Sequence, residues 1–229
     1  MLYQYRIAIA WPMPVIVIAS PKGGSGKSTT SVILGTELAH AGANVTLLDC
    51  DPNHSVTHWA GRSHLPPRIS VVSNVTEGEI IRTIKGRDTA GAVVVVDLEG
   101  VASRLASRAI SQADLVLIPM RATTLDATIG ARALQLVAEE EEALRRPIRS
   151  AVVFTMTRAI KSKQHSGIQS SLAGQGLDII EPPLMERAAF SALFEFGGDL
   201  RTMPPQGNME HAIENASAFA QQVYKRLTE

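Results

Sequence analysis

Cysteine occurs once in the 229 residues, at Cys50. A single thiol excludes an internal disulfide and any ligand set that needs two cysteines, and it suits a reducing compartment. Aromatic residues are also scarce, 4% of the chain against 45% hydrophobic residues in all. The apolar content is therefore mainly aliphatic, which fits βα units with buried parallel strands better than an aromatic-rich all-β fold. Neither sign of charge is in excess, with 22 Lys and Arg against 22 Asp and Glu, so bulk charge selects neither nucleic acid nor a membrane surface as partner. A local basic face stays open. No run approaches the roughly 18 apolar residues of a membrane span, and no integral membrane association is expected. The segment Met1 to Pro14 carries one charged side chain, Arg6, and lacks the basic start, longer apolar stretch and cleavage site of a secretory leader. Met13 stands two residues before the first β-like run. Residues 1–12 are thus expected to be a poorly ordered, dispensable extension, and 13–229 a single domain long enough for a sizeable core.

What is present is concentrated in Ser20-Pro21-Lys22-Gly23-Gly24-Ser25-Gly26-Lys27-Ser28-Thr29-Thr30. The apolar run Val15 to Ala19 leads in, and a helical pattern from Ser31 to His40 leads out. Strand, glycine-rich loop and helix in that order make a phosphate cradle: glycines let backbone N–H groups turn inward, and the helix N-terminus supplies positive dipole. Gly23, Gly24, Ser25, Gly26 and Thr29 are expected to line a nucleoside triphosphate, Lys27 to reach its β and γ phosphates, and Ser28 to set its hydroxyl on Mg²⁺. Pro21 stands where the common G-x-x-x-x-G-K-[ST] form has its first glycine, and Lys22 adds a second cation five residues before Lys27.

Carboxylates follow at strand ends. Asn44 to Asp49 reads as a strand that finishes in Asp49-Cys50-Asp51-Pro52-Asn53. Alternate side chains point to opposite faces unless the chain bends, and Pro52 makes a bend, so one acid can approach a metal shell while the other faces the γ-phosphate. Ala92-Val93-Val94-Val95-Val96-Asp97 is an uninterrupted run that suits a strand covered on both faces, its terminal Asp97 placed to hold Mg²⁺ through water. His54 and His58 are spaced i, i+4 without an evident third ligand. Trp59 is expected to act as a packing anchor, and Cys50 to fill a small buried space.

The loop K-G-G-x-G-K-[ST], with Lys22 and Lys27 as its lysines, resembles the deviant Walker A box of the ParA/MinD family of dimerising ATPases. Asp49 to Asn53 matches that family's switch I, D-x-D-P-[QN], and A-D-L-V-L-I-P-x-x-x-[ST]-x-L-D from Ala113 to Asp126 is similar to small ParA-type partition ATPases. The resemblance implies slow Mg²⁺-dependent ATP hydrolysis by an ATP-dependent homodimer. In it Lys22 completes the partner's ATP site, Asp51 positions the attacking water, and Asp49 and Asp97 order water around the metal. Thr157 and Arg158 follow the strand Ser150 to Thr155, where related ATPases approach the purine. Glu181 to Phe190 is similar to the family's I-P-x-x-x-x-[RA]-x-A-F region, which carries over Pro183 and Arg187 and sets a proline loop beside the base. Two departures stand out: Leu98-Glu99-Gly100 replaces the usual small residues and proline after Asp97, and the usual asparagine near the purine is absent.

The expected architecture is α/β, a doubly wound, mostly parallel sheet with helices on both faces. Further strands are expected at Ile69 to Val72 and Leu177 to Ile180, and a final helix from Met209 to Leu227 whose stripe Ile213, Ala216, Ala220, Val223 and Leu227 packs against the sheet. The resemblance also implies a bacterial cytoplasmic, nucleoid-associated protein that binds DNA nonspecifically in its ATP state and segregates or positions plasmid or chromosomal cargo, stimulated by a small ParB-like partner. Arg158, Lys161 and Lys163 form a small basic cluster, on a DNA side or simply solvated. A VirC-type ATPase of DNA transfer, a MinD-like positioner of membrane or protein cargo, and a nonhydrolysing scaffold are the rival readings.

Overall fold

The computed structural model describes residues 13–101, 103–158 and 162–228; the expected extension, 1–12, lies outside them. Six strands form one sheet: β1 (Val15–Ile18), β2 (Asn44–Cys50), β3 (Ile69–Ser73), β4 (Ala92–Leu98), β5 (Leu115–Met120) and β6 (Arg149–Phe154). Their order is β3-β2-β4-β1-β5-β6 and every pairing is parallel. Parallel neighbours require crossovers, and the helices supply them: α1 (Lys27–His40), α2 (Ser55–Ala60), α3 (Ile80–Lys85), α4 (Arg104–Ile110), α5 (Thr124–Leu144), α6 (Lys163–Gly174), α7 (Ala188–Phe196) and α8 (Met209–Thr228).

Strand side chains alternate between two cores. Ile16 and Ile18 of β1 join Val93 and Val95 of β4 under α1, α2, α7 and α8, while Val15, Val17, Val94 and Val96 face α3 to α6. Every residue of β4 is buried, as its unbroken apolar run requires of a strand covered on both sides. The final helix lays Ala212, Ala216, Phe219, Ala220, Val223 and Leu227 into the first of these cores, so its apolar stripe is spent on packing. Phe219 adds the bulkiest member of the stripe, and Ile213 lies only at its margin.

One expectation changes. Leu177 to Ile180 forms no sheet strand; Ile179 makes an isolated bridge to Val152, with Val152 N donating to Asp178 O and Ile180 N to Val152 O beyond the edge of the sheet. Conversely α6 is a helix that the sequence barely signals, because among its residues only His165 and Leu172 are buried and Gly167 sits inside it. The Ser162 side chain caps it by accepting from His165 N.

From β1 the chain moves to β2 on one side and returns through β4 to β5 on the other. That reversal opens a crevice at the carboxyl end of β1, where ligands of such sheets bind. The glycine loop lies there.

Candidate functional site

The loop between β1 and α1 turns through Gly24 at φ 70° and Gly26 at φ 90°, left-handed conformations that glycine adopts without a Cβ clash. At Gly26 space also decides: a Cβ would come within 3.3 Å of Thr155. Thr155, just past β6, donates its hydroxyl to Ser25 O at 2.7 Å and so pins the loop to the sheet. No side chain caps α1, which leaves the amides of its first turn directed at the crevice. Lys27 opens that turn, nearly buried, with Nζ 3.4 Å from Lys22 O. A cleft of about 770 Å³ faces the loop, lined among others by Gly23, Gly24, Lys27, Ser28 and Asp51.

The expected carboxylates gather at this end of the sheet. Register places Asp97 level with both Ile18 and Asp49. Asp97 is buried, accepts from Ser31 Oγ at 3.0 Å, and keeps Oδ2 without a partner. Burial pushes its carboxyl up to about 7 against the pull of the nearby Ser28 and Ser31 hydroxyls, with Asp49 adding to the rise and Lys27 opposing it. An orphaned buried carboxylate oxygen beside the Ser28 hydroxyl fits a hydrated divalent cation, with Ser28 and Asp97 as its holders. Such an ion would draw off negative charge between phosphate oxygens.

Asp49 and Asp51 divide their work. Asp49 Oδ2 accepts from Thr57 N at 2.7 Å and from Thr57 Oγ1 at 2.6 Å, so one of its oxygens is committed to anchoring α2. Its other oxygen lies 3.4 Å from Asp51 N. Asp51 reaches the cleft, its Oδ1 held by Asn53 N at 2.8 Å and Asn53 Nδ2 at 2.9 Å. The segment is fastened behind by Trp59, fully buried, whose Nε1 donates to Gly198 O at 3.0 Å. Cys50 between the two acids has its thiol pushed up to about 12, by burial first and then by Asp49 and Asp97, which leaves it a packing residue.

Lys22 takes a position the sequence does not announce. It is about one-third exposed and pairs with Asp126 at the start of α5 in its own chain. Asp126 is buried, its amide caps back to Thr123 Oγ1 at 3.1 Å, and its Oδ2 has no partner. Glu99 lies exposed on the cleft wall with Arg132 of α5.

The residues expected beside the purine lie outside the lining of a second, smaller pocket. That pocket, about 110 Å³, opens beside the phosphate loop between Gly26, Thr29 and Thr30 on one wall and Thr155, Met156 and residues 184–187 on another. None of Thr157, Arg158 and Pro183 lines it. Thr157 is buried and engaged in a bridge to Met185; Pro183 is buried with its carbonyl accepting from Asn215 Nδ2 at 2.8 Å; Arg158 is exposed. The pocket is lined instead by their neighbours Met156 and residues 184–187, of which Arg187 is one that the resemblance carried over. Arg158 and Lys163 are both exposed, and Lys161, the third member of the expected basic cluster, lies outside the described residues.

A parallel sheet with a glycine loop at its switch point, an uncapped helix, a buried lysine and acids at the ends of β2 and β4 defines a P-loop nucleotide-binding protein. The profile of the CobQ/CobB/MinD/ParA nucleotide binding domain matches residues 16–200, and the chain belongs to that family. It is 64% identical over 219 residues to a protein ParA of Rhizobium radiobacter, covering 95% of this chain and 99% of the relative. A protein virC1 of the same organism is 28% identical over 190 residues, 81% of this chain and 82% of that one. Among solved structures, a Cyanothece McdA variant in complex with ATP shares the fold with a TM-score of 0.74 and 19% identity, over 94% of this chain and 96% of that one.

Proposed function

We propose that this protein is a dimerising, Mg²⁺-dependent ATPase of partition type. The observation that carries the reading is the pair of lysines in one loop, Lys27 buried over the cradle and Lys22 at its rim, with Ser28 and Asp51 on the same cleft and Asp97 held by Ser31 close to Ser28. Loop amides and Lys27 hold the phosphates, Ser28 and Asp97 hold the metal's hydration shell with Asp49 behind them, and Asp51, fixed by Asn53, aligns the water that attacks the γ-phosphorus. Lys22 leaves Asp126 and completes the site of a second copy. A cation supplied in trans is worth about 10³ to 10⁵ in rate for related phosphoryl transfer, so an isolated subunit turns over slowly.

Slow turnover gated by assembly makes a switch. In the ATP state the dimer binds DNA without sequence preference on the bacterial nucleoid, and a small ParB-like partner triggers hydrolysis as plasmid or chromosomal cargo is moved. The 64% identity to a protein ParA, against 28% to a virC1, favours partition over DNA transfer. A MinD-like membrane role is disfavoured by α8, which buries its apolar stripe in the core.

The test is retention of the purified protein on unrelated duplex DNA with ATP, ADP or no nucleotide over a salt series, alongside turnover. Retention confined to ATP and steeply lost with salt is expected. Equal hydrolysis by wild type and Asp51→Ala would remove the assigned mechanism; hydrolysis without retention in any state would remove the DNA role.

A further inference from the structure

At the amino end of the sheet a further depression lies the length of β2 from the phosphate loop, roughly 20 Å for its seven residues. It encloses about 360 Å³ between the first residues of β2, β3 and β4 and the turn after α3. The sheet face under α3 is apolar where the helix covers it, with Leu48 and Val96 in the core and Val72 against it. Two residues nearer the amino end the same face turns polar, placing Thr46 opposite Ser70 and then Asn44 opposite Ala92. Helix α3 has only six residues and ends at Gly86, on the rim of the depression, so these polar positions are left open.

Two arginines line the depression, Arg68 and Arg87, and no carboxylate does. Arg87 is partly buried, and among the described residues its guanidinium has neither a hydrogen bond nor an ion pair. Arg68 donates from Nη1 to Asn44 Oδ1 at 3.1 Å, which engages one of its five N–H groups. Its backbone is left-handed, φ 67°, a conformation that asparagine or glycine takes at less cost, so what the arginine adds there is its guanidinium. The hydroxyls of Ser70 and Thr46 lie 3.0 Å apart, and either can donate. Thr89 brings a further hydroxyl from the turn after α3.

Guanidinium forks pair with phosphate oxygens two at a time, and two uncompensated positive charges match a dianion. We propose that this depression binds a terminal phosphate group in its dianionic form, held by Arg68 and Arg87 with Ser70 and Thr89 as hydroxyl donors. The group comes from inorganic phosphate or from a phosphomonoester of a small molecule. Backbone phosphates of DNA carry one charge each and match the pair of arginines less well. This site is separate from the nucleotide cleft and stands independently of the function proposed above.

Amide chemical shifts of the full chain, followed by NMR during titration with inorganic phosphate, glycerol 2-phosphate, sulfate and chloride, test it. The amides of Ser70, Arg87 and Thr89 should move and saturate with the first three and stay still with chloride. Those of Gly24 to Lys27 report the phosphate loop separately. A phosphomonoester loses its second proton at about pH 6, so glycerol 2-phosphate should bind about 10-fold more tightly at pH 8 than at pH 5, with sulfate nearly level. Arg87→Ala and Arg68→Asn, the latter suited to left-handed backbone, should each weaken phosphate and sulfate here by about 10-fold or more, and Arg87→Lys by less. Tighter binding of glycerol 2-phosphate than of inorganic phosphate would assign the source to a phosphorylated small molecule, and the reverse to free phosphate. Equal shifts with chloride, or binding unchanged in both Arg87→Ala and Arg68→Asn, would overturn the proposal. So would duplex DNA that moves these amides while none of the small anions does, which would make the depression a nucleic-acid contact instead.

Discussion

Carboxylates are buried in two regions of this molecule, and the two regions treat them in opposite ways. At the junction of α1 with the segment before α8, Glu37 accepts two hydrogen bonds from Arg201, at 2.6 and 2.9 Å, and a third from Ser217 at 2.6 Å. Nearby Asp199 pairs with His40 at 3.2 Å and accepts from the amides of Arg201 and Thr202. At the crevice, Asp97 and Asp126 are as deeply buried, yet each keeps one oxygen with neither a hydrogen bond nor an ion pair, whereas the Asp199 oxygen that accepts no hydrogen bond still faces His40. A closed network fixes geometry; an open one holds interaction energy in reserve for a ligand. The junction is built for stability and the crevice for function, and substitutions should separate the two.

The largest expected effect is on chemistry alone. Asp51→Ala should lower ATP turnover by at least about 100-fold, the scale of losing a positioned group at a reacting water, with the melting temperature little changed. Glu37→Ala should do the reverse. Removing one partner of a buried ion pair costs on the order of 3–5 kcal/mol, and the lower end applies because Arg201 is partly exposed. Denaturant midpoints would measure it, while turnover per folded molecule stays near wild type.

Asp97→Asn sharpens the contrast by changing its sign. Because the folded carboxyl titrates at about 7 rather than 3.8, the nucleotide-free and metal-free protein loses stability as pH rises from about 4 through 7. Asn removes that loss, so the variant should be more stable than wild type at pH 8 by about 1–3 kcal/mol, and equal to it near pH 4, while turnover falls. A variant less stable at pH 8 would show that Asp97 is not held open at a cost. At the junction the slope runs the other way. Burial acts to raise the Asp199 carboxyl, but the hydrogen bonds from His40 and the two amides outweigh it and hold it below 3.8. Its contribution is present above pH 4 and lost as pH falls through the folded value. Asp199→Asn should therefore cost about 1 kcal/mol at pH 7 and progressively less as the pH is lowered, read by denaturation at each pH. The smallest effect belongs to Asp126→Ala, which frees Lys22. Turnover at limiting protein concentration should shift by only a few-fold, and its dependence on protein concentration should change with it.

Much of this is legible in the residues. Ser20 to Thr30, Asp51 and Asp97 announce the cradle and its acids, because glycine, lysine and aspartate in fixed order have few other uses at strand ends. The valine run of β4 announces its double burial for the same sort of reason. What escapes depends on contacts between distant segments. Nothing near Lys22 in sequence points to Asp126, 104 residues away. Thr157 and Pro183 are expected beside the base, whereas the small pocket next to the phosphate loop is lined by Met156 and residues 184–187, among which only Arg187 is expected. Helix α6 escapes because its sides are too polar to show a period.

Trp59 has one more use. The chain has two tryptophans, Trp11 and Trp59, and the second is sealed in the core with its indole N–H tied to Gly198 O. It stands on α2, directly after the Asp51 to Asn53 turn. In a Trp11→Phe background the protein therefore carries its own optical gauge. Blue-shifted emission is expected while α2 is seated, and a red shift with quenching if nucleotide or partner lifts it, so the switch can be timed in a stopped-flow cell without a label.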